Sequence, residues 1–166
     1  MKHGNAMHAV MQHIDFSVCS DSNAVAAEID RLVSVGFICA QQAQLVRPEK
    51  VAAFFASKLG QTLRSSQNVL REFKFSILDD AGRYVSGICD EQILLQGVVD
   101  CALVEDDGIT VVDFKTDRVS IDTLSTVTER YRMQVEIYAQ ALCRIFELPV
   151  KAKALYFFAI DDFVWL

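Results

Sequence analysis

Residues 97–117 read Gly-Val-Val-Asp-Cys-Ala-Leu-Val-Glu-Asp-Asp-Gly-Ile-Thr-Val-Val-Asp-Phe-Lys-Thr-Asp, and their pattern indicates the centre of a β-sheet. Two apolar runs, 96–104 and 109–115, flank an acidic turn that ends in Gly108. Apolar runs of this length around a short turn with a glycine are typical of a β-hairpin. We therefore expect two antiparallel strands joined by residues 105–108.

Charged side chains interrupt both predicted strands. Asp113 and Lys115 are two positions apart, so their side chains point to the same face of a strand. A neighbouring strand brings Asp100 beside them, and a buried carboxylate needs a cation or strong hydrogen bonds. Two carboxylates with a lysine can hold a divalent metal and activate a water, as in metal-dependent phosphodiesterases. Solvated carboxylates beside apolar strands are the common alternative.

The segments around the hairpin predict helices and further strands. Apolar spacing predicts helices over residues 5–15, 23–35, 48–60 and 125–146. Strand patterns cover residues 69–78, 84–88 and 153–160. The last strand–helix–strand unit favours a parallel pairing. We therefore expect an α/β fold with a mixed central sheet flanked by helices and a helical N-terminal part.

Composition limits the classes of protein to consider. The chain has 166 residues, of which 52% are hydrophobic, so residues 1–166 can form one domain with a sizeable core. The net charge of −6 argues against a free-standing sequence-specific DNA-binding protein, which usually has a basic surface. It does not exclude a nuclease, because a bound metal reverses the charge of a carboxylate site locally.

Cysteine spacing and hydropathy exclude several kinds of site. Five cysteines contain no Cys-x-x-Cys pair, so we expect no iron–sulfur cluster. Their odd number and apolar surroundings suit reduced thiols in the cytoplasm. No apolar run reaches transmembrane length, so no membrane partner is expected. The phosphate-binding motif Gly-x-x-x-x-Gly-Lys-Ser/Thr is absent, so we expect no nucleotide site in this chain.

Two polar residues outside the hairpin are candidate metal ligands. His8 follows Gly4 by four positions on the first predicted helix, and the glycine allows close backbone approach. A lone helical histidine is more often a packed or surface residue. Glu72 opens the strand at Phe73 and can reach a metal directly or through water. A solvent-facing carboxylate is the alternative for Glu72.

A row of side chains on the long predicted helix can contact nucleic acid. Gln134 and Tyr138 are four positions apart, and Arg130 precedes them by another four, so all three share one face. An amide, a phenol and a guanidinium in a row can hold phosphate oxygens and stack on a base. The alternative is an ordinary polar stripe with Tyr138 half buried.

Together these motifs resemble the RecB-like nuclease domain of the PD-(D/E)xK superfamily. They occur in the order Gly4-x-x-x-His8, Arg71-Glu72-Phe73, Gly97-Val98-Val99-Asp100, Asp113-Phe114-Lys115-Thr116 and Gln134-x-x-x-Tyr138. Within the superfamily the likeness is to the C-terminal nuclease domains of the AddA components of bacterial AddAB enzymes, and it covers nearly the whole chain. Two departures are Val99, where the superfamily name has proline, and Gln12, where related sequences often carry glutamate.

The resemblance implies a restriction-endonuclease-like core and a role for each motif residue. The implied ligands of Mg²⁺ or Mn²⁺ are His8, Asp100, Asp113 and the backbone carbonyl of Phe114. Lys115 would position or help deprotonate the attacking water, acting with Asp100 and Asp113 as the catalytic set. Gln134 and Tyr138 would orient the nucleic-acid backbone.

The resemblance also implies a biological setting. It is that of a metal-dependent deoxyribonuclease, an exonuclease, in helicase-coupled processing of DNA double-strand breaks for recombinational repair. The chain would then be part of a larger helicase–nuclease. Its partners would be single-stranded DNA from unwound duplex, the helicase portion of the same polypeptide and an AddB-type subunit.

Two other functions remain open from the sequence. One is a non-catalytic module of the same fold that holds DNA or docks a partner protein. The presence of Asp100, Asp113 and Lys115 together argues against it. The other is a stand-alone exonuclease of Cas4 or phage type, and the lack of a cysteine cluster argues against that.

Overall fold

The computed structural model describes residues 2–87 and 90–166. The helices within these ranges are α1 (Lys2–His13), α2 (Ser22–Ser34), α3 (Ala40–Ala43), α4 (Pro48–Ala56), α5 (Lys58–Ser65) and α6 (Ile121–Phe146). The strands are β1 (Val69–Asp80), β2 (Gln92–Glu105), β3 (Gly108–Lys115), β4 (Val150–Phe157) and β5 (Asp162–Trp165).

The strands form one mixed sheet in the order β1-β2-β3-β4-β5. β2 and β3 pair antiparallel, as the hairpin pattern predicts, with Cys101 opposite Val112. β3 and β4 pair parallel, and α6 makes the crossover between them. The predicted α/β class with a mixed sheet is therefore confirmed.

Helices cover both faces of the sheet. On one face α1, α2, α4 and α5 share a core with the inward side chains of β2, β3 and β4. In this core Phe54 packs edge-on against Phe114 at 5.2 Å and against Tyr156 at 4.8 Å between ring centroids. On the other face α6 packs over β1–β4 through residues such as Val135 and Leu142. Within the described ranges, no helix is both long and apolar enough to cross a membrane.

The single helix predicted over residues 48–60 is wrong. The chain breaks at Ser57, whose hydroxyl accepts a hydrogen bond from the Gly60 amide at 3.1 Å and caps α5. Gly60 then packs against the end of α4, where an added Cβ would lie 2.0 Å from the Phe54 carbonyl oxygen. The apolar spacing continues across both helices, so periodicity alone did not reveal that Ser57 caps a second helix.

The segment after β1 also differs from expectation. Residues 81–83 form a 3₁₀ turn, which the Asp80 side chain caps by accepting from the Gly82 amide. Residues 84–87 form turns and a bend, so the short strand predicted over 84–88 is wrong for these four positions. Ile88, the last residue of that predicted strand, lies outside the described residues, as does Cys89.

Several helices and strands begin or end at other residues than the sequence predicts. β2 begins at Gln92 instead of residue 96, and α6 begins at Ile121 after a Ser120 cap. The strand predicted over 153–160 is β4, which ends at Phe157. The sequence did not predict α3 or β5, because each is only four residues long.

Candidate active site

The candidate site forms where β1 and β2 become irregular. Glu72 and Asp100 face each other across this strand pair, between the paired residues Arg71–Cys101 and Phe73–Val99. In a regular strand Val99 and Cys101 would lie on the same face of the sheet. Here Cys101 packs against the helices α1–α5 and Val99 packs against α6, so the alternation of β2 is broken at Asp100. Glu72 has a φ of 48°, a left-handed conformation that costs free energy for a non-glycine residue.

Helix α1 brings His8 to these two carboxylates. A buried apolar stripe docks the helix on the sheet, and Gly4 allows close approach, because an added Cβ would lie 3.0 Å from Thr116 Oγ1. His8 Nδ1 lies 3.2 Å from Asp100 Oδ1 and 3.7 Å from Glu72 Oε1. His8 Nε2 lies 3.0 Å from the Phe114 carbonyl oxygen. Side chains far apart in sequence therefore converge on one imidazole.

The charge state of His8 follows from these contacts. Both ring nitrogens face acceptors, and only the protonated ring can donate on both sides. Burial alone would lower the pKa of His8, but the hydrogen bond to Asp100 and the charges of Asp100, Glu72 and Asp113 raise it above its usual value. The acidic neighbours therefore favour the protonated ring more than water would.

Asp100 holds the end of the hairpin together. The β2–β3 ladder ends at the Cys101–Val112 pair. Beyond it, Asp100 Oδ2 accepts a hydrogen bond of 2.7 Å from the Phe114 amide. The carboxylate thus takes the place of a strand partner, and it fixes Phe114, whose carbonyl faces His8.

Asp113 is the most buried carboxylate of the site, with 1% of its surface exposed. Its Oδ2 forms a buried ion pair with Lys115 Nζ at 2.5 Å. Burial and the charge of Asp100 raise the pKa of Asp113 to about 6, and Lys115 opposes this shift only in part.

The side chains present fit a divalent cation. His8, Glu72 and Asp100 each offer one ligand atom, and these atoms lie within 4.8 Å of one another. They open into a cleft of about 490 Å³. Imidazole with carboxylate oxygens suits Mn²⁺ and Mg²⁺. The repulsion between the Asp113 and Asp100 carboxylates is the feature that a cation would relieve.

The cluster differs in one member from the ligand set that the sequence predicts. Glu72, predicted only as an accessory group, lies in the compact set with His8 and Asp100, whereas Asp113 lies behind it and faces Lys115. Burial of a carboxylate next to an irregular strand pair is the feature that distinguishes Glu72. Sequence alternation alone could not show it.

A chain of contacts links the site to α6. Lys115 Nζ donates to Gln134 Oε1 at 3.1 Å, and Gln134 Nε2 donates to Tyr138 Oη at 2.6 Å. Tyr138 is 9% exposed and packs over Gly97, where an added Cβ would lie 3.1 Å from the phenol ring. In this arrangement Gln134 and Tyr138 orient Lys115, and their contact with nucleic acid stays a prediction.

Two further residues of α6, Arg130 and Tyr131, lie near the site. Arg130 is exposed beside Tyr131, and its contact with nucleic acid stays a prediction. Tyr131, which the sequence did not single out, has its ring 3.8 Å below Lys115 Nζ. Its hydroxyl donates to Asp117 Oδ2 at 2.9 Å. Its position three residues before Gln134 was the available signal.

Comparison with known proteins gives a family and named relatives. A family model described as the PD-(D/E)XK nuclease superfamily matches residues 1–163. A protein of Bacillus cytotoxicus, named as the A subunit of an ATP-dependent helicase/nuclease, is 38% identical over 165 residues, covering 93% of this chain and 13% of the relative. A protein of Bacillus mycoides with the same name has the same identity and coverage.

The chain therefore spans about an eighth of the length of these relatives. A solved structure described as the crystal structure of SSO0001 aligns with a TM-score of 0.45 and 16% identity, over 92% of this chain and 63% of that one. The mixed five-stranded sheet with flanking helices agrees with the restriction-endonuclease-like core expected for the matched family.

Proposed function

The chain belongs to the PD-(D/E)XK nuclease superfamily, and from this membership we propose that it is a metal-dependent deoxyribonuclease that hydrolyses phosphodiester bonds. One observation carries the proposal. His8, Glu72 and Asp100 converge beside Asp113, a buried carboxylate that is paired with Lys115 and repelled by the charge of Asp100. Gathering carboxylates in this way costs free energy unless cations offset their charge.

The residues around the cleft divide the chemical work. His8, Asp100 and Asp113 would hold Mg²⁺ or Mn²⁺ together with the Phe114 carbonyl, and Glu72 would join them directly or through water. The bound cation would supply Lewis acidity and an acidic water. Lys115, oriented by Gln134, would orient that water and offset negative charge that develops on the phosphate. Gln134, Tyr138 and Arg130 would steer the nucleic-acid backbone into the cleft.

The relatives' names extend the proposal to the biological setting. Those names combine a helicase and a nuclease, and this chain matches a small part of each relative. We propose that it acts as an exonuclease on single strands delivered by a helicase portion, in the cytoplasm, during double-strand break repair. A protein of AddB type would be its partner.

A cleavage assay tests the proposed activity. End-labelled single-stranded DNA is incubated with the chain in Mg²⁺, in Mn²⁺ and in EDTA, beside Asp113→Ala. We expect cleavage with either metal and none in EDTA or with Asp113→Ala. Label at the 5′ or the 3′ end shows whether products shorten from one end. A folded chain that binds metal yet leaves the DNA intact would favour the non-catalytic module instead.

A further inference from the structure

The Lys115 ammonium lies on an aromatic face that the proposed function leaves without a role. Nζ is 3.8 Å from the centroid of the Tyr131 ring, and Lys115 is only 8% exposed. The electron-rich face of an aromatic ring attracts a cation, most strongly where water is excluded. We propose that Tyr131 is a positioning residue that holds the Lys115 ammonium at the reacting phosphate, an inference that rests on the catalytic role proposed for Lys115.

Three groups hold the Lys115 ammonium in place. A bound metal would weaken the contact with one of them and leave the other two. Asp113 Oδ2 lies 2.5 Å away, Gln134 Oε1 accepts at 3.1 Å, and the Tyr131 ring lies below. A cation bound to Asp113 would compete with Lys115 for the same carboxylate. The ring and the amide are neutral, so their hold on the ammonium survives that competition. Tyr131 would therefore matter most in the metal-loaded site.

The ring is itself fixed from the other side. Tyr131 Oη donates to Asp117 Oδ2 at 2.9 Å, and Asp117 follows the last residue of β3 by two positions. Tyr131 and Gln134 are three residues apart on α6, so they reach the same side of the site. The segment after β3 and the helix α6 thus hold the lysine between them.

Ring electronics separate this role from ordinary packing. Replacing Tyr131 with phenylalanine or with pentafluorophenylalanine keeps nearly the same volume, but fluorination reverses the charge on the ring face. We expect kcat to fall about tenfold from the Phe variant to the fluorinated one. The KM for DNA and the affinity for Mn²⁺ should stay unchanged. Equal kcat values for the two variants would overturn the proposal.

A second measurement does not depend on cleavage. A lysine above an aromatic ring shows upfield NMR shifts of its Cε protons, so Lys115 should show them in the wild type and in Tyr131→Phe but not in Tyr131→Leu. Unshifted Lys115 protons in the wild type would contradict the contact itself. If the chain cuts no DNA but the shifts are present, the proposed function fails while the contact stands.

Tyr84 offers a matched control. It lies in the turn after β1 and contacts the later part of α6, where its hydroxyl is 3.1 Å from Gln140 Oε1. Its hydroxyl donates to Asp79 Oδ2 at 2.7 Å, as the Tyr131 hydroxyl donates to Asp117. Tyr84→Leu therefore removes a similar tyrosine–aspartate bond without touching Lys115. It should leave kcat and the Lys115 shifts at wild-type values. A loss as large as that of Tyr131→Leu would show a general effect on α6 and overturn the specific role.

Discussion

At Asp113, burial and the charge of Asp100 oppose ionisation, and the nearby lysine favours it. The pKa of this carboxyl rises to about 6 in the folded chain, whereas an unfolded aspartate titrates near 3.9. Between about pH 4 and 6 the folded state therefore holds the extra proton. The free energy of unfolding then falls as pH rises through this window, because the unfolded state binds fewer protons.

A stability measurement checks this sign. In EDTA, Asp113→Asn should be more stable than the wild type above about pH 6, by roughly 2–3 kcal/mol, with the gap closing towards about pH 4. Urea unfolding across this range gives the difference, and the exposed Asp106→Asn serves as control. Lower stability of Asp113→Asn at high pH would mean that the Lys115 pair outweighs desolvation.

In the proposed mechanism Lys115 would act mainly on the reacting phosphate. Lys115→Ala should therefore lower cleavage by orders of magnitude while calorimetry shows nearly unchanged Mn²⁺ binding. Lys58→Ala, at an exposed lysine on α5, provides the control and should cut at the wild-type rate. Near-normal cleavage by Lys115→Ala would reassign this lysine to a structural ion pair with Asp113.

The sequence predicted part of this geometry because strand alternation has a fixed period. It placed Asp113 and Lys115 on one face, and their contact follows from that spacing. It could not place Glu72 in the cluster, because the left-handed turn of this residue breaks the alternation. Tyr131 was missed for a different reason, since a ring beneath a buried lysine depends on how α6 docks.

At the scale of elements, the contact between β2 and α6 controls the position of the phenol. Gly97 faces Phe75, and an added Cβ would lie 2.7 Å from that ring and 3.1 Å from the Tyr138 ring. Gly97→Ala must therefore displace the Phe75 ring, which packs edge-on against Tyr138, and it crowds Tyr138 directly. We expect both effects to shift the Gln134 amide that orients Lys115. The glycine of the Gly97-Val98-Val99-Asp100 motif is explained by this close approach.

Gly97→Ala should affect the cleavage rate but not the affinity for Mn²⁺, and the two can be measured independently. We expect kcat to fall about tenfold or more and stability by roughly 1–3 kcal/mol from overpacking, with Mn²⁺ affinity retained. Gly36→Ala is the control, because it has open space around its Cβ position and only its left-handed φ of 80° to strain. Unchanged cleavage by Gly97→Ala would show that Tyr138 does not control the site.

Element boundaries were the less predictable part of the fold. The hairpin, the long helix and the parallel crossover follow from periodicity and survive in the structure. The break at Ser57 and the early start of α6 at Ile121 depend on capping hydrogen bonds, which periodicity does not report. Sequence patterns thus locate the elements, and local polar contacts decide where they end.

For the whole molecule, a net charge of −6 limits binding to nucleic acid. Few cations oppose the phosphates, so the chain alone should bind single-stranded DNA weakly, and this electrostatic binding should weaken further as salt rises. Fluorescence anisotropy with a labelled oligonucleotide between low and physiological salt measures this. Tight binding that is insensitive to salt would contradict this expectation.

We propose that His8, Asp100 and Asp113 surround one divalent cation. Anomalous diffraction from crystals of the chain grown with Mn²⁺ tests it directly. We predict one strong peak within about 2.0–2.6 Å of ligand atoms from these residues and of the Phe114 carbonyl oxygen. It should be absent from crystals of Asp113→Ala. A peak bound elsewhere, or full occupancy in Asp113→Ala, would contradict the account.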